Sequence, residues 1–185
     1  MKINRAWAMS NSRTFSIPPI RELIEHYVGW GDVIVDPFAN DSKIGTITND
    51  LNPKFDTDYH MDALDFLKSI KDAYADVVLY DPPYSSRQVK ECYDSIGLPL
   101  TAEKTKASWR SRHLDEIARI LKPGGFALSF GWNTNGVGKK RGFEIVEVLV
   151  VAHGGSKNDT LCTVERKLLL RLSVHSADLL RSFVV

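Results

Sequence analysis

Asp81 follows the apolar run 77–80 and is itself followed by two prolines and a tyrosine. A residue that precedes a proline is pushed into an extended conformation, so Asp81 and Pro82 should leave the predicted strand straight and stiff. The Asp81 carboxylate and the Pro82 carbonyl can then accept both hydrogens of one amino group. Tyr84 lies just beyond Pro83, where its ring can lie against a flat base. The stretch therefore predicts a binding site for an exocyclic amine on an aromatic ring.

The stretch 81–84 has an alternative explanation, because a polyproline-type exit from a strand is common in surface loops. Two other acids favour the binding site, since Asp36 and Asp50 also lie at the ends of predicted strands. In parallel sheets covered by helices, ligands bind beyond the carboxyl ends of the strands. Three successive strands that end in an acid therefore predict a polar site at that edge.

Asp50 and Asp62 each allow two interpretations. Asp50 lies where nucleotide-binding folds place an acid that accepts hydrogen bonds from both ribose hydroxyls, but aspartate is also a common turn former. Asp62 begins the next predicted helix. It is either a helix N-cap or an acceptor for an exocyclic adenine amine, and taken alone the cap is favoured.

Apolar periodicity predicts strands that alternate with helices. The predicted strands are "DVIVDPF", "GTITND", "ADVVLY" and "FALSF", followed by an antiparallel hairpin of "GFEIVEVLVVAH" and "TLCTVERK". Helices are predicted after an N-cap at Ser16, in "MDALDFLKSI", and in "SWRSRHLDEIARIL", with "KPGG" as a glycine stop. We expect one helical turn over 42–45 and irregular structure over 86–103. This order is typical of an α/β fold with a Rossmann-like, doubly wound, mostly parallel sheet and a C-terminal antiparallel hairpin.

Length and composition limit the organisation of the chain. It has 185 residues, 43% hydrophobic and 25% charged, with a formal net charge of +1, so any basic surface must be local. We expect one domain over 1–185, with an N-terminal arm over 1–16 and a closing helix or tail over 168–185. Cys92 and Cys162 should be reduced thiols, and no zinc-like spacing predicts a metal site. Without a signal-peptide or membrane-span pattern, we expect a cytoplasmic protein.

The motif Asp81-Pro82-Pro83-Tyr84 resembles the catalytic tetrapeptide of the amino-methyltransferases that use S-adenosylmethionine to methylate adenine N6 or cytosine N4 in DNA. Its form is the one most associated with adenine, as in the small adenine methyltransferases of phages and prophages. The resemblance covers residues 5–167 and implies a class I methyltransferase fold, S-adenosylmethionine as cofactor and DNA as partner. It implies cofactor contacts from ten residues, namely Phe15, Asp36, Pro37, Phe38, Asn40, Ser42, Asp50, Leu51, Asp62 and Ala63.

The implied cofactor loop departs from the family at two positions. The segment 36–43 reads "DPFANDSK", so Asn40 and Ser42 stand where the family has glycines that allow a close backbone approach. The spacing between the first strand-end acid and Asp50 is also shorter than the roughly 20 residues typical of such units. We hypothesise that Asn40, Asp41 and Ser42 contact the amino-acid end of the cofactor instead.

The chain holds no insertion large enough for a separate target-recognition domain. Recognition is then expected from the segment 85–113, the N-terminal arm, the hairpin or a second subunit, which leaves a homodimer open. The segment 85–113 interleaves aromatic with basic residues, which are expected to contact phosphates, namely Arg87, Lys90, Lys104, Lys106, Arg110 and Arg112. A second basic cluster, "GKKRG" at 138–142, lies on a predicted turn. For each cluster a solvated surface is the alternative.

The resemblance implies methyl transfer to the N6 amine of an adenine flipped out of the DNA duplex. Asp81 and the Pro82 carbonyl would accept the two amine hydrogens, and Tyr84 would stack on the base. Other acceptors stay open, namely cytosine N4, an RNA adenine or a glutamine amide. Two further alternatives are a non-catalytic DNA-binding protein with the same fold and a small-molecule nucleotide-binding protein.

Overall fold

The computed structural model describes residues 1–101, 104, 106–155 and 157–169. Within these ranges the chain forms seven strands, β1 (Lys2–Trp7), β2 (Ile34–Asp36), β3 (Ile47–Thr48), β4 (Ala75–Tyr80), β5 (Leu121–Gly131), β6 (Phe143–Ala152) and β7 (Thr160–Lys167). It also forms four α-helices, α1 (Pro18–Val28), α2 (Ala63–Ser69), α3 (Ser86–Asp94) and α4 (Ala107–Ile120), with 3-10 turns at Thr14–Ser16 and Lys139–Arg141. Most of the predicted closing helix or tail, 170–185, lies outside the described residues. None of the described helices is long and apolar enough to cross a membrane.

The strands form one sheet in the order β1-β6-β7-β5-β4-β2-β3. Neighbouring strands are parallel except where β7 pairs with β5 and with β6. The predicted α/β fold, with its mostly parallel sheet and C-terminal antiparallel hairpin, is confirmed. Because β2, β3 and β4 run in parallel, Asp36, Asp50 and Asp81 come to the same edge of the sheet.

Alternation along β4 divides the core into two layers, because successive side chains of a strand point to opposite faces. Leu79 packs with Ile20 of α1 on one face of the sheet. Tyr80 packs with Phe66 of α2 and Ile117 of α4 on the other face. These side chains are fully buried, so the strand that leads to Asp81 is held firmly on both sides.

The expectation of irregular structure over 86–103 is wrong for its first half, which forms α3. Ser85 caps this helix, since its hydroxyl accepts a hydrogen bond from the backbone of Gln88 at 3.2 Å. Val89 and Tyr93 are its buried residues, and two i,i+4 ion pairs add to its stability. Two apolar contacts in a polar helix give a weak periodic signal, which explains the missed prediction.

Three predicted boundaries also differ from the structure. The N-cap of α1 is Ile17 and not Ser16, which ends a 3-10 turn. Residues 42–45 contain no helical turn. The glycine stop after α4 is absent, because the helix ends at Ile120 and the chain is already extended in β5. Lys122 precedes a proline and therefore favours the extended conformation.

The N-terminal arm begins with the edge strand β1, which pairs with β6. After the strand, Ala8 donates its backbone N–H to the Ala152 carbonyl at 3.1 Å and accepts a hydrogen bond from His153 Nδ1 at 2.8 Å. The chain then turns toward the edge that carries the strand-end acids. The ring of Phe15 lies 4.9 Å from that of Phe130. These contacts fix the arm beside the site.

Candidate active site

A cleft of about 660 Å³ lies where the strand-end acids meet. It is lined by the arm segment 11–15, by the segments 38–42, 50–52 and 81–84 that follow β2, β3 and β4, by Phe55, and by one face of α3. All four residues of the predicted catalytic tetrapeptide line it, together with Asp50. Among the described residues no group of histidine, cysteine or acidic side chains could hold a metal ion.

The Asp81 carboxylate is already engaged by neighbouring side chains. The Tyr84 hydroxyl donates a hydrogen bond to Asp81 Oδ1, and the Thr14 side chain adds a second hydrogen-bonding contact. Burial raises the pKa of Asp81, while these two contacts offset part of the rise. The backbone N–H of Tyr84 donates to Gln88 Oε1 at 2.7 Å. The carboxylate thus faces hydrogen-bond donors at a place where the amine of an acceptor could replace the tyrosine hydroxyl.

Asp36 is turned into the protein and does not line the cleft. Its Oδ1 accepts a hydrogen bond from the Phe38 backbone at 3.1 Å, and its Oδ2 has no hydrogen-bond partner among the described residues. Burial raises the pKa of Asp36 well above its ordinary value, and the nearby charges of Asp81 and Asp50 add to the rise. The structure therefore gives Asp36 the environment of a neutral acid.

Asn40 performs the conformational role of a glycine in the loop after β2. Its φ of 53° lies in the left-handed region, which asparagine adopts more readily than most residues. In this conformation its backbone N–H donates to Asp50 Oδ2 at 2.9 Å, and Asp50 Oδ1 accepts from the Asn52 backbone at 2.8 Å. Burial raises the pKa of Asp50. Each oxygen retains acceptor capacity, because a carboxylate has about four lone-pair sites.

Asp62 lies outside the cleft lining and caps α2, as the simpler interpretation expects. Its Oδ1 accepts from the Leu64 backbone at 3.0 Å. Its Oδ2 accepts from the Tyr93 hydroxyl at 2.6 Å and from Lys104 Nζ at 2.7 Å. Burial alone would raise the pKa of Asp62, but the hydrogen bonds from Lys104 and Tyr93 bring it below its usual value. A contact with adenine would require these partners to move.

The other residues of the implied cofactor set divide into two groups. The first group lines the cleft and comprises Phe15, Phe38, Asn40, Ser42 and Leu51. The second group does not line it and comprises Pro37 and Ala63. Asp41, which the sequence also placed near the amino-acid end, lines the cleft and forms an ion pair with Arg13 at 2.6 Å.

Most cations of the segment 85–113 contact acidic or aromatic groups of the protein. Arg87 and Lys90 form ion pairs along α3, with Glu91 at 2.8 Å and Asp94 at 2.6 Å. Lys104 is held between Asp62 and Tyr93, and the Arg110 guanidinium lies 5.6 Å from the Tyr80 ring centroid. Lys106 is exposed, and Arg112 is half-buried on α4. Four of the six cations are therefore engaged by acidic or aromatic side chains of the protein itself.

Sequence reasoning missed three residues that build the site. Thr14 brings a hydroxyl from the arm to Asp81, and Gln88 fixes the backbone of Tyr84. Buried Asn49 joins two loops, since its amide donates to the carbonyls of Pro37 and Met61 at 3.1 Å each. Of these three, Asn49 alone lies in a predicted strand, next to Asp50 at its end.

Known proteins resemble this chain in part of its sequence and in its fold. No protein-family model matches the chain. In sequence it is 29% identical over 92 residues to the type II methyltransferase M.BamHI of Bacillus amyloliquefaciens. That match covers 46% of this chain and 21% of M.BamHI, so the chain spans about a fifth of the relative it matches.

Solved structures match over most of the chain. A methyltransferase of Methanosarcina mazei, described as S-adenosylmethionine-dependent, gives a TM-score of 0.53 at 15% identity and covers 80% of this chain and 97% of its own. A 1,6-didemethyltoxoflavin-N1-methyltransferase of Burkholderia thailandensis, solved with S-adenosylhomocysteine, gives 0.55 at 12% identity, covering 82% and 77%. TrmN of Thermus thermophilus gives 0.51 at 17% identity, covering 82% and 49%. The chain has the fold of the class I S-adenosylmethionine-dependent methyltransferases.

Proposed function

We propose that the protein is a methyltransferase that transfers a methyl group from S-adenosylmethionine to the N6 amine of adenine in DNA. The observation that carries this proposal is the tetrapeptide 81–84 at the end of buried β4, in the same cleft as Asp50. The match to M.BamHI, a DNA methyltransferase, favours a DNA acceptor. The fold matches favour the cofactor.

The cleft has polar groups that fit S-adenosylmethionine, which supplies an activated methyl group when bound. Asp50 has acceptor capacity for ribose hydroxyls and is held by the backbone of Asn40 and Asn52. Arg13 and Asp41 offer a guanidinium and a carboxylate side by side, which suit the carboxylate and ammonium of an amino acid.

Asp81 and the Pro82 carbonyl would act on the acceptor amine. An adenine amine shares its lone pair with the ring and is therefore a poor nucleophile. When both hydrogens are bonded to these acceptors, the lone pair is localised on nitrogen, and the nearby carboxylate stabilises the positive charge that develops there. The Tyr84 hydroxyl must first leave Asp81, after which its ring can stack on the flipped base.

The competing acceptors share this chemistry, because cytosine N4, an RNA adenine and a side-chain amide all present an NH2 group on a planar carbon.

The non-catalytic alternative rested on the missing glycines of the cofactor loop. The backbone of Asn40 supports the catalytic interpretation, since it adopts the left-handed conformation and its N–H contacts Asp50.

Product analysis tests the proposal directly. The protein is incubated with S-adenosylmethionine and either mixed-sequence plasmid DNA or total RNA, and the digested nucleosides are identified by mass spectrometry. We expect N6-methyldeoxyadenosine from DNA. Calorimetric titration should show cofactor binding that Asp50→Ala loses and Asp58→Ala, outside the cleft, retains. Methylated cytosine, methylated RNA or the absence of any product would each contradict the proposed acceptor.

A further inference from the structure

We propose that residues 132–142, here called the anchored loop, form the surface that contacts the DNA strand around the methylated base. The proposal rests on the proposed function and names where that site binds its partner. The loop connects β5 to β6 and contains no α-helix. It begins directly after Gly131, whose backbone lies beside the Tyr84 ring.

A buried carboxylate holds the backbone of the anchored loop in place. Glu165 of β7 accepts hydrogen bonds from the backbone N–H groups of Val137 and Gly138, the latter at 2.9 Å. A side chain at Gly136 would collide with this carboxylate, because a Cβ there would lie 2.1 Å from Glu165 Oε2. Gly136 and Gly138 also have positive φ values of 45° and 95°. The conformation of the loop therefore depends on its glycines.

A second anchor joins the loop to α4. Arg141 donates to Asp115 Oδ1 at 2.7 Å, to Ser111 Oγ at 2.9 Å and to the Val137 carbonyl at 3.0 Å. The charge of Arg141 is thus paired with the Asp115 carboxylate. The same residue was part of the basic cluster "GKKRG", so only the two lysines of that cluster remain directed to solvent.

The exposed side chains of the anchored loop suit a nucleic acid. Trp132 is 46% exposed although its ring packs against Tyr84 with a centroid distance of 5.5 Å. Asn133, Thr134 and Asn135 follow it, all exposed. An aromatic ring can stack on a base, and amide groups can pair with base edges. Trp132 contacts Tyr84, the residue that would stack on the flipped base, and the three polar residues follow Trp132 in the chain.

Lys139 and Lys140 supply the charge. Both are exposed, and neither belongs to an ion pair among the described residues. They are seven and eight residues from Trp132, a reach of at most about 29 Å, or roughly eight base-pair steps of a duplex. Arg87 and Lys90 of α3, in contrast, are paired with acids. Lys139 and Lys140 therefore give the anchored loop positive charge that no acid among the described residues neutralises.

Salt-dependent DNA binding tests the role of the lysines. Fluorescence anisotropy would follow a mixed-sequence duplex of roughly 20 base pairs, which exceeds the reach of the loop. Lys139→Ala/Lys140→Ala should lower the slope of log affinity against log salt by about 1.8, since each lost phosphate contact removes about 0.9. The matched control Lys68→Ala/Lys71→Ala removes two exposed lysines near α2 and should leave the slope unchanged. Equal slopes in the two double variants would overturn the assignment.

A tryptophan pair tests the stacking contact. Trp132→Ala should lower kcat/KM for DNA by about tenfold, the effect of one lost base–aromatic stack, and leave cofactor affinity unchanged. The control Trp30→Ala removes a tryptophan that is 71% exposed, follows α1 and does not line the cleft. Equal kcat/KM values in the two variants would overturn the contact.

The outcomes separate this inference from the proposed function. Loop-dependent binding of DNA without N6-methyladenine would refute the proposed reaction and support the anchored loop as the DNA contact. N6-methyladenine formation with a lysine variant that behaves like its control would refute the loop alone. Loop-dependent binding of single-stranded RNA but not of DNA would overturn DNA as the partner.

Discussion

Asp36 and Asp81 both end a buried parallel strand and both precede a proline, yet their carboxylates have different surroundings. Asp36 points inward, with one oxygen bonded to Phe38 and the other without a partner among the described residues. Asp81 lines the cleft and accepts a hydrogen bond from Tyr84. The difference shows that a strand-end acid is directed by the loop that follows it.

The two loops differ in the source of their stiffness. After Asp81, a second proline restricts the backbone until the chain enters α3. After Asp36, the chain turns back toward β3 through Asn40, whose left-handed backbone contacts Asp50. The first arrangement presents a carboxylate to a ligand, while the second presents backbone groups and encloses the acid.

The largest expected effect separates the chemical roles of the two acids. Asp81→Asn should reduce single-turnover methyl transfer by at least about 10³-fold, because an amide cannot stabilise the developing positive charge. Asp36→Asn should reduce it less than about tenfold, since burial already favours the neutral acid at that position. Rapid-quench assays with saturating cofactor would measure both. Similar losses in the two variants would show that the acids act together.

A smaller effect concerns the backbone of the loop after Asp36. Asn40→Ala should lower the free energy of unfolding by about 1 kcal/mol, because alanine is strained at positive φ, whereas Asn40→Gly should be nearly neutral. Urea denaturation would measure both variants. Ala73 also has a positive φ, of 46°, so Ala73→Gly is a matched control that should stabilise the protein without changing cofactor affinity. Equal stability of the two Asn40 variants would contradict the glycine-like role.

The finest test concerns the pH dependence of Asp81. Transfer needs its ionised form, and its raised pKa places the acidic limb of kcat/KM above the ordinary aspartate value of about 3.9. Activity should therefore fall as pH decreases through that raised value. Tyr84→Phe removes a hydrogen bond that lowers this pKa, so the limb should move to higher pH.

The exposed Tyr59 lies outside the cleft and provides the control, since Tyr59→Phe should leave the acidic limb in place. A Tyr84→Phe profile that overlays the wild-type profile would show that the Tyr84 hydroxyl does not contact Asp81 in the free enzyme.

The sequence predicted what depends on local patterns and missed what depends on distant contacts. The buried strand before Asp81 was predictable because its apolar residues are continuous. The strand β1 was not, because its residues are mostly exposed and only pairing with β6 orders them. The contact between Asp62 and Lys104 joins residues 42 positions apart, so the sequence could support only the cap. Thr14 likewise reaches Asp81 only through the fold.

The pairing of β1 with β6 has a consequence for synthesis of the protein on the ribosome. Residues 2–7 are translated well before their partners 147–152, which follow β2, β3, β4 and β5 along the chain. Contacts of such long sequence separation form late in folding. The arm that brings Phe15 to the cleft therefore gains its support only after β6 has been translated. During translation the cleft therefore has its full lining only after β6 has left the ribosome.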